Sequence, residues 1–124
     1  MEKIWQEATT APHATERIWL HGDMHTRNIL VDQGKFSGII DWGDMTFGDI
    51  ANDLAPIWML FENPATRRRG LDAYGVTPEV LARAKGWVIY FSAVLLDTGL
   101  VDNPEHAKMG KTALERLVLS LIHI

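Results

Sequence analysis

Two short β-compatible runs, Asn28-Ile29-Leu30-Val31-Asp32 and Phe36-Ser37-Gly38-Ile39-Ile40, are separated only by Gln33-Gly34-Lys35. A gap that short, with a glycine in it, commits the chain to an antiparallel hairpin. Chemistry-bearing residues stand at both open ends of that hairpin. His21-Gly22-Asp23 lies a few residues ahead of the first run, and Asp41-Trp42-Gly43-Asp44 comes directly after the second. Folding the hairpin therefore returns Asp41 to the neighbourhood of Asp23 and Asn28. Upstream, Arg17 to Leu20 is apolar and β-compatible, and residues 3–8 suit a short helix that ends at the loop 9–14.

From Gly48 onward the apolar period changes from two to about 3.6. Ile50, Leu54, Ile57, Trp58 and Phe61 fall at helical spacing, with Ala51, Ala55 and Met59 widening the stripe, so one helix buried nearly all round is expected. Asp49 stands where an N-cap or first-turn acid belongs. Pro64 to Tyr74 suits a second helix stopped by Gly75. Pro78 opens a long one with Val80, Ala84, Trp87, Val88, Phe91 and Leu95 on one stripe and Gly99 past its end. Pro104 opens the last, through Leu114 and Leu117. The fold class is α+β and mostly helical, a short β-hairpin beside a helical bundle. Trp58 and Trp87 lie on apolar stripes and belong to the core, whereas Arg67-Arg68-Arg69 suits a solvated helix face. Residues 118–124, apolar on every side and uncapped, have the character of a spurious tail.

Composition narrows the function classes. A chain of 124 residues, 47% hydrophobic and 23% charged, is enough for one compact unit and too short for two. It contains no cysteine, so disulfides and thiolate metal sites are excluded and a reducing cytoplasm is the natural setting. A net charge of −4 argues against nucleic acid as a partner. No apolar run reaches the roughly 20 residues of a membrane span, so no membrane partner is expected.

Phosphoryl transfer asks for few protein parts. One carboxylate orients or deprotonates the acceptor hydroxyl, and oxygen ligands hold the Mg²⁺ that bridges the phosphates. A loop with Asp23, then Asn28 at the start of a strand, then Asp41 on the returning strand is that layout. A rival arrangement uses the alternation of His21, Asp23 and His25: on a strand all three would face one metal, as in a metallohydrolase. His13, His106 and His123 form no further cluster in the sequence. A third class is a kinase-like lobe retained as a non-catalytic binding module, against which the intact Asp23, Asn28 and Asp41 argue.

His21-Gly22-Asp23, four residues, then Asn28 resembles the catalytic loop of the aminoglycoside phosphotransferase family, which includes macrolide phosphotransferases and is akin to other small-molecule kinases. Ile40-Asp41-Trp42-Gly43-Asp44 resembles its metal-binding motif, and Gly48-Asp49 and Asp53-Leu54-Ala55 resemble the segment C-terminal to that motif. The resemblance covers roughly residues 17–117. It implies a protein-kinase-like C-terminal lobe, ATP as co-substrate, and transfer of its γ-phosphate to a small-molecule hydroxyl, with aminoglycoside or macrolide antibiotics as acceptors. It implies Asp23 as catalytic base, Asn28 and Asp41 as Mg²⁺ ligands, and Asp49 and Asp53 as structural acids near the start of a buried helix. His21, by its own reading, is a structural support packed and hydrogen-bonded to fix the loop. Thr26-Arg27 replaces the Pro-Gly of many relatives, Ile50 replaces a Pro, and Gly22 replaces the Arg of protein kinases, which points to small-molecule acceptors. Ahead of His21 there is no Gly-rich phosphate loop and no strand Lys with a partner Glu. The chain is thus expected to be a single partial domain over residues 1–124, lacking the N-terminal nucleotide-binding lobe and inactive alone. Asp97, Asp102 and Glu105, around the last helix connection, suit either a solvated loop or a cationic acceptor.

Overall fold

The computed structural model describes residues 1–120. Helix α1 (Glu2–Thr10) leads to β1 (Ile18–Leu20), the hairpin β2 (Ile29–Asp32) and β3 (Lys35–Ile39), and β4 (Thr46–Gly48). Five helices complete the order: α2 (Ala51–Leu54), α3 (Ile57–Leu60), α4 (Pro64–Tyr74), α5 (Pro78–Val101) and α6 (Pro104–Ser120). The architecture is mostly helical α+β, with two small antiparallel sheets beside a helical core.

The hairpin turns on two residues, not three. Gln33 and Gly34 both take positive φ, 50° and 75°, and Lys35 already pairs with Asp32. That is the primed turn whose twist matches the strands it joins. The second sheet has no local signal in the sequence: β1 pairs with β4, Leu20 opposite Thr46 and Ile18 opposite Gly48. This ladder clamps together the two ends of the segment 21–45, which holds the hairpin and both acidic motifs.

Three helices open on the same local device, a capping side chain with proline directly after it. Asn63 Oδ1 accepts from the Ala65 N–H, Thr77 Oγ1 from Val80, and Asn103 Oδ1 from Glu105. The proline at N1 has no N–H to leave unsatisfied. Gly75, at φ 80°, closes α4 in the left-handed conformation.

Four expectations need correction. The single helix over 50–61 is two, because Pro56 has no N–H for the turn behind it and breaks the ladder between α2 and α3. Gly99 does not lie past α5 but inside it, buried, where a Cβ would collide with Ala107 of α6. Arg67 is not on the solvated face: it is 4% exposed, and its Nη1 donates to Phe61 O at 2.8 Å and Glu62 O at 2.9 Å. Arg116 Nη1 does the same for Trp58 O and Met59 O, so two guanidiniums satisfy the carbonyl end of α3. Lastly, α5 is long and apolar enough by length and composition to cross a membrane; here α1, α2 and α6 pack against it. Of the suspected tail, 118–120 continue α6, and 121–124 lie outside the described residues.

The core gathers Ile4, Ala51, Ala55, Ile57, Trp58, Ala84, Val88, Ala113 and Leu117, with Trp87 packed against it. The strands, by contrast, leave Trp19, Val31, Phe36 and Phe47 exposed.

Candidate active site

The segment after β1 is irregular, not a strand. Gly22 sits at φ 88°, and a Cβ there would stand 2.5 Å from the Asp44 carbonyl oxygen. Glycine is therefore needed twice over, for the left-handed backbone and for the close passage of the 41–44 segment. Asp53, in α2, holds this turn from below: Oδ2 accepts from the His21 N–H at 2.7 Å and Oδ1 from the Gly22 N–H at 3.0 Å.

His21 is buried, and both ring nitrogens are engaged. Nδ1 accepts from the Asp23 N–H at 3.1 Å, so Nε2 carries the proton and donates to Ile40 O at 2.8 Å. Its ring also meets Trp42 edge-on, with centroids 4.6 Å apart. One side chain thus ties the Asp23 loop to the segment carrying Asp41. No ring nitrogen remains for a metal, and the loop does not place His21, Asp23 and His25 on one strand face. Among the described residues, no three His, Asp or Glu side chains form a metal-holding group. The geometry runs against the metallohydrolase arrangement.

Asp23 and Asn28 are brought together by the loop itself. Asn28, buried at the end of a 3-10 turn over Thr26–Asn28, donates through Nδ2 to Asp23 O at 2.8 Å and lies 3.4 Å from Asp23 Oδ2. With Nδ2 occupied, Oδ1 is the atom of that amide left to act as a donor to a cation. The Ile40 N–H donates to Asn28 O at 2.9 Å, extending the hairpin ladder by one pair and setting Asp41 beside Asn28 in the chain path. Asp41 is exposed and holds φ 59°, a left-handed backbone that costs most residues about 1 kcal/mol or more. A neutral amide oxygen and a carboxylate are hard donors of the kind Mg²⁺ takes alongside water and phosphate oxygens, so the residues present fit that ion.

Asp49 stands apart from this group. Its Oδ1 accepts from the Ala51 N–H, and its Oδ2 lies 2.7 Å from Arg83 Nε on α5. Arg83 also donates to Pro12 O, so the pair fastens the start of α2 to α5 and to the loop after α1. Nothing near Asp49 in sequence announces Arg83, 34 residues away.

His25 is the site residue that spacing alone undervalues. It caps the 3-10 turn, Nδ1 accepting from the Arg27 N–H, and Nε2 lies 3.6 Å from Asp23 Oδ2. Its ring faces His106 of α6, with centroids 5.9 Å apart. Burial pushes its pKa below the ordinary value; the Asp23 charge opposes this, while His106 and Arg27 reinforce it. The unfolded chain therefore takes up this proton at higher pH than the folded one. Stability should fall as pH drops below about 6.5 and stop falling, on this account, below the lowered folded pKa. His25→Asn keeps a cap acceptor and removes the titration. Thermal melts from neutral pH to about pH 5 should show a shallower decline for the variant, and equal declines would exclude His25 as the cause.

Comparisons with known proteins bear on the family and the fold. The profile of the phosphotransferase enzyme family (APH) matches residues 1–87. An aminoglycoside 3'-phosphotransferase of Escherichia coli is 30% identical over 79 residues, covering 61% of this chain and 29% of the relative. One of Salmonella typhimurium matches equally, and a further Escherichia coli enzyme of that description is 32% identical over 78 residues. The chain thus spans under a third of the length of these relatives. Among solved structures, a thermostable mutant of the aminoglycoside phosphotransferase APH(4)-Ia in its apo form superposes with a TM-score of 0.60 at 20% identity. That match covers 96% of this chain and 42% of the other.

Proposed function

Because the chain belongs to the phosphotransferase enzyme family of the aminoglycoside phosphotransferases, we propose that it is the catalytic lobe of an enzyme that moves the γ-phosphoryl group of ATP to a hydroxyl of a small molecule. The observation that carries this reading is the tie between Asp23 and Asn28 inside one loop, with the Ile40–Asn28 hydrogen bond joining that loop to the residue just before Asp41. Asp23 is the base: it orients the acceptor O–H and takes its proton. The acceptor oxygen forms its bond to the γ-phosphorus as the bond to the β,γ-bridging oxygen breaks, and that electron pair leaves with ADP. Asn28 Oδ1 and the Asp41 carboxylate would hold Mg²⁺, which offsets the charge on the phosphates when bound. His21 and Asp53 keep the loop in shape, and Asp49 anchors the helix behind it. The kinship with enzymes named for aminoglycosides makes an antibiotic hydroxyl a natural acceptor to test.

Asp41→Ala tests the metal assignment. With a nucleotide-binding lobe joined to the chain, Mg²⁺-dependent ATP affinity should disappear in a calorimetric titration, because no neutral neighbour replaces a charged oxygen ligand. Asp44→Ala should leave that affinity standing. The reverse pattern would move the ligand from Asp41 to Asp44.

A further inference from the structure

Beside Asp23 the surface dips into a pocket of about 70 Å³ walled by Met24, Pro56, Met59, Phe91, Val94 and Leu95. Asp23 and His25 are its polar lining residues. The acids that would suit an ammonium group, Asp97, Asp102 and Glu105, do not line it. Granted the phosphotransfer reading above, we infer that the acceptor offers its hydroxyl to Asp23 on an uncharged, alkyl-bearing arm seated in this pocket, not on a ring carrying ammonium groups.

The physical case rests on what the walls accept. Thioether and branched aliphatic surfaces give little back to a cation that sheds its water, and the one aromatic wall, Phe91, offers a single cation–π contact, so an ammonium here loses more hydration than it regains. Among the described residues lining the pocket, the single carboxylate is the one needed as base. An ammonium paired with it would hold Asp23 in its charged form and weaken it as a proton acceptor. An alkyl arm avoids both costs, and each methylene it buries against these walls raises affinity about fourfold. The transfer itself is unchanged: the acceptor proton goes to Asp23, the new O–P bond forms, and ADP departs.

Two of the five methionines, Met24 and Met59, line the pocket, which gives a direct reporter. In the chain labelled at its methionine methyl groups, isoamyl alcohol should shift the NMR signals of Met24 and Met59 and leave Met1 and Met45 unmoved. Glucosamine should shift neither pocket signal. Val94→Asp places a charge on the wall at a position 43% exposed, where α5 tolerates it. It should weaken alcohol binding at least about fivefold while the remaining methyl spectrum keeps its folded dispersion. Glucosamine shifts at Met24 and Met59, silence with isoamyl alcohol, or unchanged affinity in Val94→Asp would each overturn the inference. A second arm separates it from the reading beneath it. With a nucleotide-binding lobe joined and γ-labelled ATP supplied, label is expected on the alcohol and not on glucosamine. Label on glucosamine alone overturns the apolar acceptor and leaves phosphotransfer intact. Label on neither, nor on any hydroxyl compound of either class, overturns phosphotransfer itself.

Discussion

Asp23→Asn, made with a nucleotide-binding lobe joined to the chain, is expected to lower turnover by about 10²–10⁴-fold and to leave ATP affinity nearly unchanged. Asparagine has the shape of aspartate but cannot take the acceptor proton. The bond that holds Asn28 in place survives the change, because Asn28 Nδ2 donates to the backbone oxygen of residue 23. The His21 contact survives too, since it involves the Asp23 N–H. The loop should keep its geometry and lose only the base, so the loss falls on kcat and not on the KM for ATP. Steady-state kinetics at saturating acceptor would show it. Turnover near that of the unaltered protein would remove Asp23 from the base role, and a matching rise in the KM for ATP would recast it as a nucleotide-binding group.

The hairpin, the Asp23–Asn28 spacing and the three Pro-led helices are legible in the sequence because each rests on residues close together along the chain. Two strands joined by Gln33-Gly34 can hardly avoid pairing, and a capping residue before proline opens a helix wherever it falls. The unread parts share the opposite property. β4 is three residues long, too short to show a period, and exists because β1, some 28 positions earlier, offers it a partner. Arg67, Arg83 and Arg116 are ordinary helix cations by local pattern. Their roles depend on where α3 ends and where Asp49 stands, which only the packed fold decides. His25 reads as part of an alternating triplet; the loop itself brings it to Asp23, and its contact with His106 arises only once α6 lies beside the loop. Gly99 reads as a helix stop and is instead a point where α5 and α6 approach too closely for a side chain. In each case the sequence carries the residue, and a distant partner carries its meaning.

The 124 residues alone are expected to show no acceptor-dependent phosphotransfer. Catalysis of this kind is positioning and electrostatics, so each absent clamp on the nucleotide removes transition-state stabilisation directly. Residues 1–20 hold no Gly-rich loop and no strand lysine to cover and grip the phosphates. The Asp23 side chain is 39% exposed and Asp41 is exposed as well, so solvent screens both. There a charge contact is worth several-fold less than in a closed cleft. The strands beside them leave Trp19, Val31, Phe36 and Phe47 exposed to solvent, apolar groups whose exposure favours self-association. An ATP-consumption assay on the purified chain, with Mg²⁺ and a panel of antibiotics and simple alcohols, decides the matter. Signal no higher with acceptor than without is the expected result. Acceptor-dependent turnover in the ordinary kinase range of about 1–100 s⁻¹ would mean that this short chain completes its nucleotide site unaided.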